Sequence, residues 1–177
     1  AQRFALDFPE RVAGLVLIGA FKTLRDSAEL AALIEEVTAM SDPIDLDLVR
    51  AFQASTLAQP VQDEFFRTVV AEGARLPVRI WRTVLREVAA YDDFAELVQV
   101  AAPAILFWGE RDNFSTYEQQ QELVSEIPGA ELRVYAGAGH SLHWEEPRRF
   151  ASDLANFIRA LERSRADRDP IKGRMRA

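Results

Sequence analysis

The sequence predicts an α/β protein with a mostly parallel sheet and a run of helices inserted into it. Three observations carry this. Two short apolar runs, residues 12–18 and 104–108, break at Gly19 and Gly109, as strands buried in a parallel sheet do. Between them, residues 23–96 show helical periodicity and no β alternation. Near the end, Phe150, Leu154, Phe157, Ile158 and Leu161 form a stripe at the spacing of a helix packed on a sheet.

Taken in order, Ala1, Phe4, Ala5 and Phe8 share one helical face, and Pro9 stops that helix. Residues 12–18 read as a central strand buried on both faces. Four helical patterns follow: Leu30, Leu33, Ile34 and Val37; Leu46, Val49 and Phe52; Phe65, Phe66, Val69 and Val70; and Ile80, Trp81, Val84, Leu85 and Val88. Breaks fall at Pro43, Pro60 and Pro77. Ser41, Asp42 or a neighbour suits the cap of the second helix, with Asp45 or Asp47 near its start. Phe21, Phe52, Phe65, Phe66 and Trp81 are candidates for the walls of a pocket, with helix packing as the more ordinary role for each. Asp92 and Asp93 read as a solvated turn at the exit of the helical run.

Residues 104–108 form the next strand, 117–127 a helix ended by Pro128 and Gly129, and 132–135 the last strand. Glu145, Glu146 and Pro147 suit the first turn of the final helix. From Arg163 onward the chain carries six basic and two acidic residues and no apolar period, which predicts a disordered, solvated tail. The expected divisions are 1–22 and 97–163 for the sheet-bearing core, 23–96 for the helical insertion, and 164–177 for the tail.

Composition narrows the function. The chain has 177 residues, 49% hydrophobic, enough for one domain with a sizeable core. A net charge of −7 lacks the basic face of a nucleic-acid binder. The absence of cysteine removes disulfides, thiolate metal ligands and thiol catalysis. His140 and His143 are the only histidines. With Glu145 or Glu146 they could in principle ligate a metal, but two histidines argue against a multi-histidine centre. No apolar run reaches the roughly 18 residues of a membrane span.

Two residues suited to acid–base work stand just after strand ends: Asp112 after Gly109, and His140 between Gly139 and Ser141. Ligands bind at the carboxyl ends of strands in open α/β sheets. An Asp and a His held there by separate strands can pair, the Asp orienting the His as a base. The bland reading of Asp112 alone is a local turn hydrogen bond. Glu110 is the second candidate acid, and His143 reads as a supporting or surface residue.

Trp-Gly-Glu-Arg-Asp at 108–112 and Gly-Ala-Gly-His at 137–140 resemble the last third of an α/β-hydrolase. The opening, Ala-Gln-Arg-Phe-Ala-Leu-Asp-Phe-Pro-Glu-Arg-Val, resembles the helix that follows the family's nucleophile elbow. The 28 residues from Asp112 to His140 are similar to the family's acid-to-histidine spacing, in the chain order nucleophile, acid, histidine. The resemblance extends to about Arg163. It implies a partial α/β-hydrolase fold, with Asp112 as triad acid, His140 as general base and residues 23–96 as a helical cap. It implies a cofactor-free esterase-like enzyme acting on a small-molecule substrate, a small apolar ester or similar compound. From charge and hydropathy neither nucleic acid nor membrane is expected as partner, and a cytoplasmic location is expected. No serine stands in Gly-x-Ser-x-Gly: Ser141 has Gly139 two before it but His143 two after it. The expected elbow therefore lies upstream of Ala1, and the chain alone is expected to be inactive. The alternatives are an epoxide hydrolase or dehalogenase with an Asp nucleophile, a haloperoxidase-type member, or a degenerate hydrolase that only binds.

Overall fold

The computed structural model of the protein describes residues 1–25 and 27–168. Its framework is a parallel sheet of β1 (Leu15–Ile18), β2 (Ala104–Gly109) and β3 (Glu131–Tyr135), in that order. Leu15 lies opposite Ala104, Ile105 opposite Glu131, and Gly109 opposite Tyr135. The middle strand β2 is buried along its whole length, as its unbroken apolar sequence requires. β1 corrects the expectation of burial on both faces: Leu15 and Leu17 are buried, whereas Val16 and Ile18 are half-buried. Among the described residues β1 pairs only with β2, and the face that carries Val16 and Ile18 is the less covered one.

Successive side chains of β2 point to opposite faces, and each face has its own core. Ala104 and Leu106 pack with Leu15, Leu17, Leu123 and Ile127, and with Ala5 and Leu97. These last four come from α6 (Tyr117–Glu126) and the residue after it, from α1 (Gln2–Asp7), and from the 3-10 turn Phe94–Gln99. Ile105 and Phe107 pack on the other face with Tyr135, Ala138 and Leu142, against Phe150 and Phe157. Those two phenylalanines belong to α8 (Pro147–Arg168). Burying side chains of this size contributes about 1.5–3 kcal/mol each.

α8 departs from expectation in two places. Ile158 is 45% exposed. Residues 164–168, expected in the tail, are helical, because arginine and alanine favour helix without needing burial. Positions 169–177 of the expected tail lie outside the described residues. Leu161 presses on the chain entering β1: a Cβ on Gly14 would stand 2.4 Å from its Cδ1.

The segment between β1 and β2 forms α2 (Ala28–Ala39), α3 (Leu46–Ser55), α4 (Asp63–Ala74) and α5 (Val78–Ala90). α2 packs on α5 and α3 on α4, around Val37, Ile44, Val49, Val70, Trp81 and Leu85. Asp45 caps α3 by accepting the Asp47 and Leu48 N–H groups at 2.7 and 3.2 Å. Asp42 serves a different helix from the one expected. It accepts the Val78 N–H at 2.6 Å, at the start of α5, where a helix carries unpaired donors. Asp93 also differs from the solvated residue expected. It is 4% exposed and accepts a hydrogen bond from the Tyr91 hydroxyl, because buried Leu97 and Val100 draw the turn that follows onto the core. Burial, then the Asp93 carboxylate, push the Tyr91 phenol above its ordinary range. Asp92 pairs with Arg25 at 3.3 Å. Among the described residues no helix is long and apolar enough to cross a membrane.

Candidate active site

The loops after β2 and β3 touch where both strands end. Gly109 closes β2, and a Cβ there would sit 2.1 Å from the Gly139 carbonyl oxygen and 2.5 Å from that of Ala138. Only glycine permits this approach. The Glu110 N–H donates to the Tyr135 carbonyl at 3.0 Å and the Arg111 N–H to that of Ala138 at 2.8 Å. These bonds lock the acid-bearing loop to the histidine-bearing one.

The structure brings Asp112 and His140 together. His140 Nδ1 lies 3.0 Å from Asp112 Oδ2 and 3.2 Å from Oδ1. The Asp112 side chain is 0% exposed and that of His140 27%. Asp112 Oδ1 also accepts the N–H groups of Phe114 and Ser115, at 2.7 and 3.2 Å, and Oδ2 accepts the Ser115 hydroxyl at 2.8 Å. The local turn hydrogen bond and the pairing with histidine, alternatives in the sequence, occur in the same carboxylate. Burial works against its charge. The hydrogen bond and charge of His140, the Phe114 amide and the Ser115 hydroxyl outweigh burial and hold the carboxyl below its ordinary value. An ionised Asp112 fixes the proton of a neutral His140 on Nδ1 and leaves Nε2 as the basic nitrogen.

Under the imidazole lies the end of β1. Gly19 adopts a positive φ of 54°, and a Cβ there would stand 2.7 Å from His140 Nδ1. Phe114 packs on the ring at 4.8 Å between centroids. Among the described residues no hydroxyl hydrogen-bonds to His140 Nε2. Ser115 is engaged with Asp112 and Ser141 with Thr56 Oγ1.

Sequence reasoning missed Glu145. It ends the short helix α7 (Leu142–Glu145) rather than opening the last long one. Its Oε2 accepts the Gly139 N–H at 2.7 Å, and its Oε1 accepts those of Ala58 and Gln59 at 2.6 and 3.0 Å. One carboxylate thus ties the residue before His140 to the loop between α3 and α4. The Ser141 N–H, donating to the Thr56 carbonyl at 2.9 Å, adds a second tie. No local signal could have shown the tie to Ala58 and Gln59, which stand 87 and 86 positions away within the insertion.

The other candidates lie elsewhere. Glu110 accepts the Gly137 N–H at 2.9 Å and shapes the turn after β3. The His143 ring packs against Trp144 and Phe150. Burial, then the charge of His140, lower its pKa. Among the described residues no group of three or more His, Asp and Glu side chains is arranged to hold a metal.

A cavity of about 680 Å³ opens between α2, α3 and the loop after β2; Asp112 and His140 do not line it, but Phe114, which packs on the His140 ring, does. Leu30, Leu33, Leu48 and Phe52 form its apolar wall, and Asn113 and Phe114 its side towards Asp112. Of the five aromatic residues considered for a pocket wall, Phe52 alone lines it. Trp81 and Phe66 belong to the core of the helical segment, and Phe65 meets Trp144 edge-to-face at 5.6 Å between centroids.

Asp112 and His140 meet at the carboxyl ends of parallel strands, where α/β proteins place their ligand sites. The chain belongs to the alpha/beta hydrolase fold family, which matches residues 1–147. It is 27% identical over 169 residues to a 2-hydroxy-6-oxononadienedioate/2-hydroxy-6-oxononatrienedioate hydrolase of Burkholderia vietnamiensis, covering 90% of this chain and 58% of that protein. A protein of the same description from Paraburkholderia phymatum is 28% identical, with 89% and 58% covered. The chain thus spans less than two thirds of the length of these curated relatives. Among solved structures, an esterase from Exiguobacterium antarcticum superposes with a TM-score of 0.77 at 18% identity, over 90% of this chain and 63% of that one. A hydrolase from Pseudomonas aeruginosa gives 0.76 at 21%, over 89% and 59%. At such identities these structures speak to the fold.

Proposed function

We propose that this chain carries the acid and the base of a cofactor-free Ser-His-Asp hydrolase, acting on a small apolar ester or similar compound. The nucleophilic serine would come from an elbow outside the 177 residues. The carrying observation is the buried Asp112 carboxylate on His140 Nδ1 at 3.0 Å, at the ends of adjacent parallel strands. In this reading residues 23–96 are the cap and residues 1–22 and 97–163 belong to the core.

A serine hydroxyl is a weak nucleophile at neutral pH. His140 Nε2 takes its proton as the oxygen attacks the ester carbonyl. Asp112 keeps the other ring proton on Nδ1 and stabilises the imidazolium. The imidazolium then gives its proton to the leaving alcohol. In the second half, His140 draws a proton from the water that attacks the acyl-enzyme, and returns it to the serine oxygen as the bond to the acyl group breaks and the acid leaves. Backbone amides outside this chain would stabilise the oxyanion.

The test is hydrolysis of p-nitrophenyl butyrate by the protein as its source makes it, before and after His140→Ala. The expected result is turnover lost by at least about a thousandfold in the variant, and no turnover above background by the 177-residue chain alone. A rate indifferent to His140→Ala would overturn the reading.

A further inference from the structure

We infer that the cavity between α2, α3 and the loop after β2 takes a neutral, apolar acyl chain and discriminates against acyl groups ending in a carboxylate. The inference rests on the hydrolase reading above and goes beyond it to the substrate class. The curated relatives are named for hydrolysis of dioates, compounds with two carboxylates. A buried carboxylate needs a cation or several donors to replace its hydration, and without them its transfer from water is strongly unfavourable.

Among the described residues the cavity wall has no such cation. None of the described lining residues is Lys, Arg or His, and the charged one among them is Glu36, on exposed α2 surface. Leu30, Leu33, Leu48 and Phe52 make the wall apolar, and the remaining polar groups are neutral Thr, Ser, Asn and Gln side chains. Two cations near this wall in sequence are engaged, Lys22 with Glu122 at 3.2 Å and Arg25 with Asp92 at 3.3 Å, and a third, Arg50, is exposed and does not line the cavity. A volume of about 680 Å³ falls within the range of small-molecule sites, about 300–1,000 Å³. An anionic acyl end entering it would meet the like charge of Glu36 and no compensating one.

The experiment compares p-nitrophenyl hexanoate with mono-p-nitrophenyl adipate, equal in carbon number and differing at the far end, a methyl against a carboxylate. The protein as its source makes it is used, with Glu36→Gln and Glu36→Lys. The expected result is a kcat/KM for the hexanoate about a hundredfold or more above that for the adipate. Glu36→Lys is expected to raise the ratio of the adipate to the hexanoate value about tenfold and Glu36→Gln by less, because a rim charge acts selectively on a charged substrate. Equal or higher kcat/KM for the adipate would overturn the inference while leaving the hydrolase reading standing. Failure to hydrolyse either ester would instead overturn the hydrolase reading, and the inference with it.

Discussion

The loops that follow β2 and β3 hold the two members of one pair by opposite means. The acid itself is held locally. Asp112 is fixed by Phe114 and Ser115, and the Ser115 carbonyl in turn accepts Trp108 Nε1 at 3.0 Å, so every partner but His140 stands within a few residues. The histidine loop has few local supports. It is positioned by the Glu145 carboxylate and Ser141, both tied to Thr56, Ala58 and Gln59, and by Gly19 beneath the ring. The acid therefore depends on the turn it sits in, and the base on how the helical insertion is seated.

The largest expected effect breaks the pair itself. Asp112→Asn keeps the volume of the side chain and an oxygen for the Phe114 N–H. It replaces one carboxylate oxygen with an NH₂ group, so the carboxylate that stabilises the imidazolium is gone and the Nδ1–H tautomer loses its preference. Under the proposed mechanism kcat falls by roughly 10³–10⁴ with the fold kept. Ester hydrolysis and a circular dichroism melt of the same sample check both halves.

Glu145→Ala comes next and tests the long-range side of the comparison. It strips the acceptor from the Gly139, Ala58 and Gln59 N–H groups. Donors left unpaired away from water cost about 1–3 kcal/mol each, and water reaches part of this half-buried site, so the expected loss is about 2–4 kcal/mol in urea denaturation. Activity should fall by tens of fold because His140 is no longer held. Glu145→Gln, which keeps one acceptor, should fall between. A Glu145→Ala protein with wild-type kcat would mean that the histidine loop keeps its place without the insertion.

Ser115→Ala probes the local side and should do less. It removes the hydroxyl bond to Oδ2, while the Phe114 and Ser115 N–H groups and His140 remain on the carboxylate. A single bond to a charged group is worth about 1.5–3 kcal/mol. A loss near the lower end and a rate reduced less than tenfold are expected, measured as above.

This contrast explains what could be read from the chain. The parallel strands, the helical insertion and Asp112 with His140 were legible because each is written in neighbouring residues: apolar runs ended by Gly109 or Gly19, and an acid in a turn. Glu145 was not, because its partners lie 86 and 87 positions away and an acid beside Pro147 looks like an ordinary helix start. Asp42 was assigned to the nearest helix and serves a more distant one. The one-sided burial of β1 was hidden for a related reason, since an apolar run does not say how closely other elements will cover each of its faces.

The smallest effect separates the two loops by pH. Asp112 has a folded pKa below its ordinary value of 3.8. Its contribution to stability is complete above that value and is lost only as pH falls through the still lower folded one. His143, in the histidine loop, has a folded pKa below its ordinary 6.5, through burial and then the charge of His140. The unfolded chain therefore binds the proton first as pH falls. The stability that goes with a neutral His143 is fully present above about 6.5 and declines below it. Between pH 7.5 and 5.5 the titration of His143 should thus make the urea midpoint drop on acidification, whereas Asp112 adds no slope there. His143→Phe, whose ring can pack with Trp144 and Phe150, should flatten this part of the curve. An unchanged slope in that variant would place the titration elsewhere and remove the distinction between the loops in this pH range.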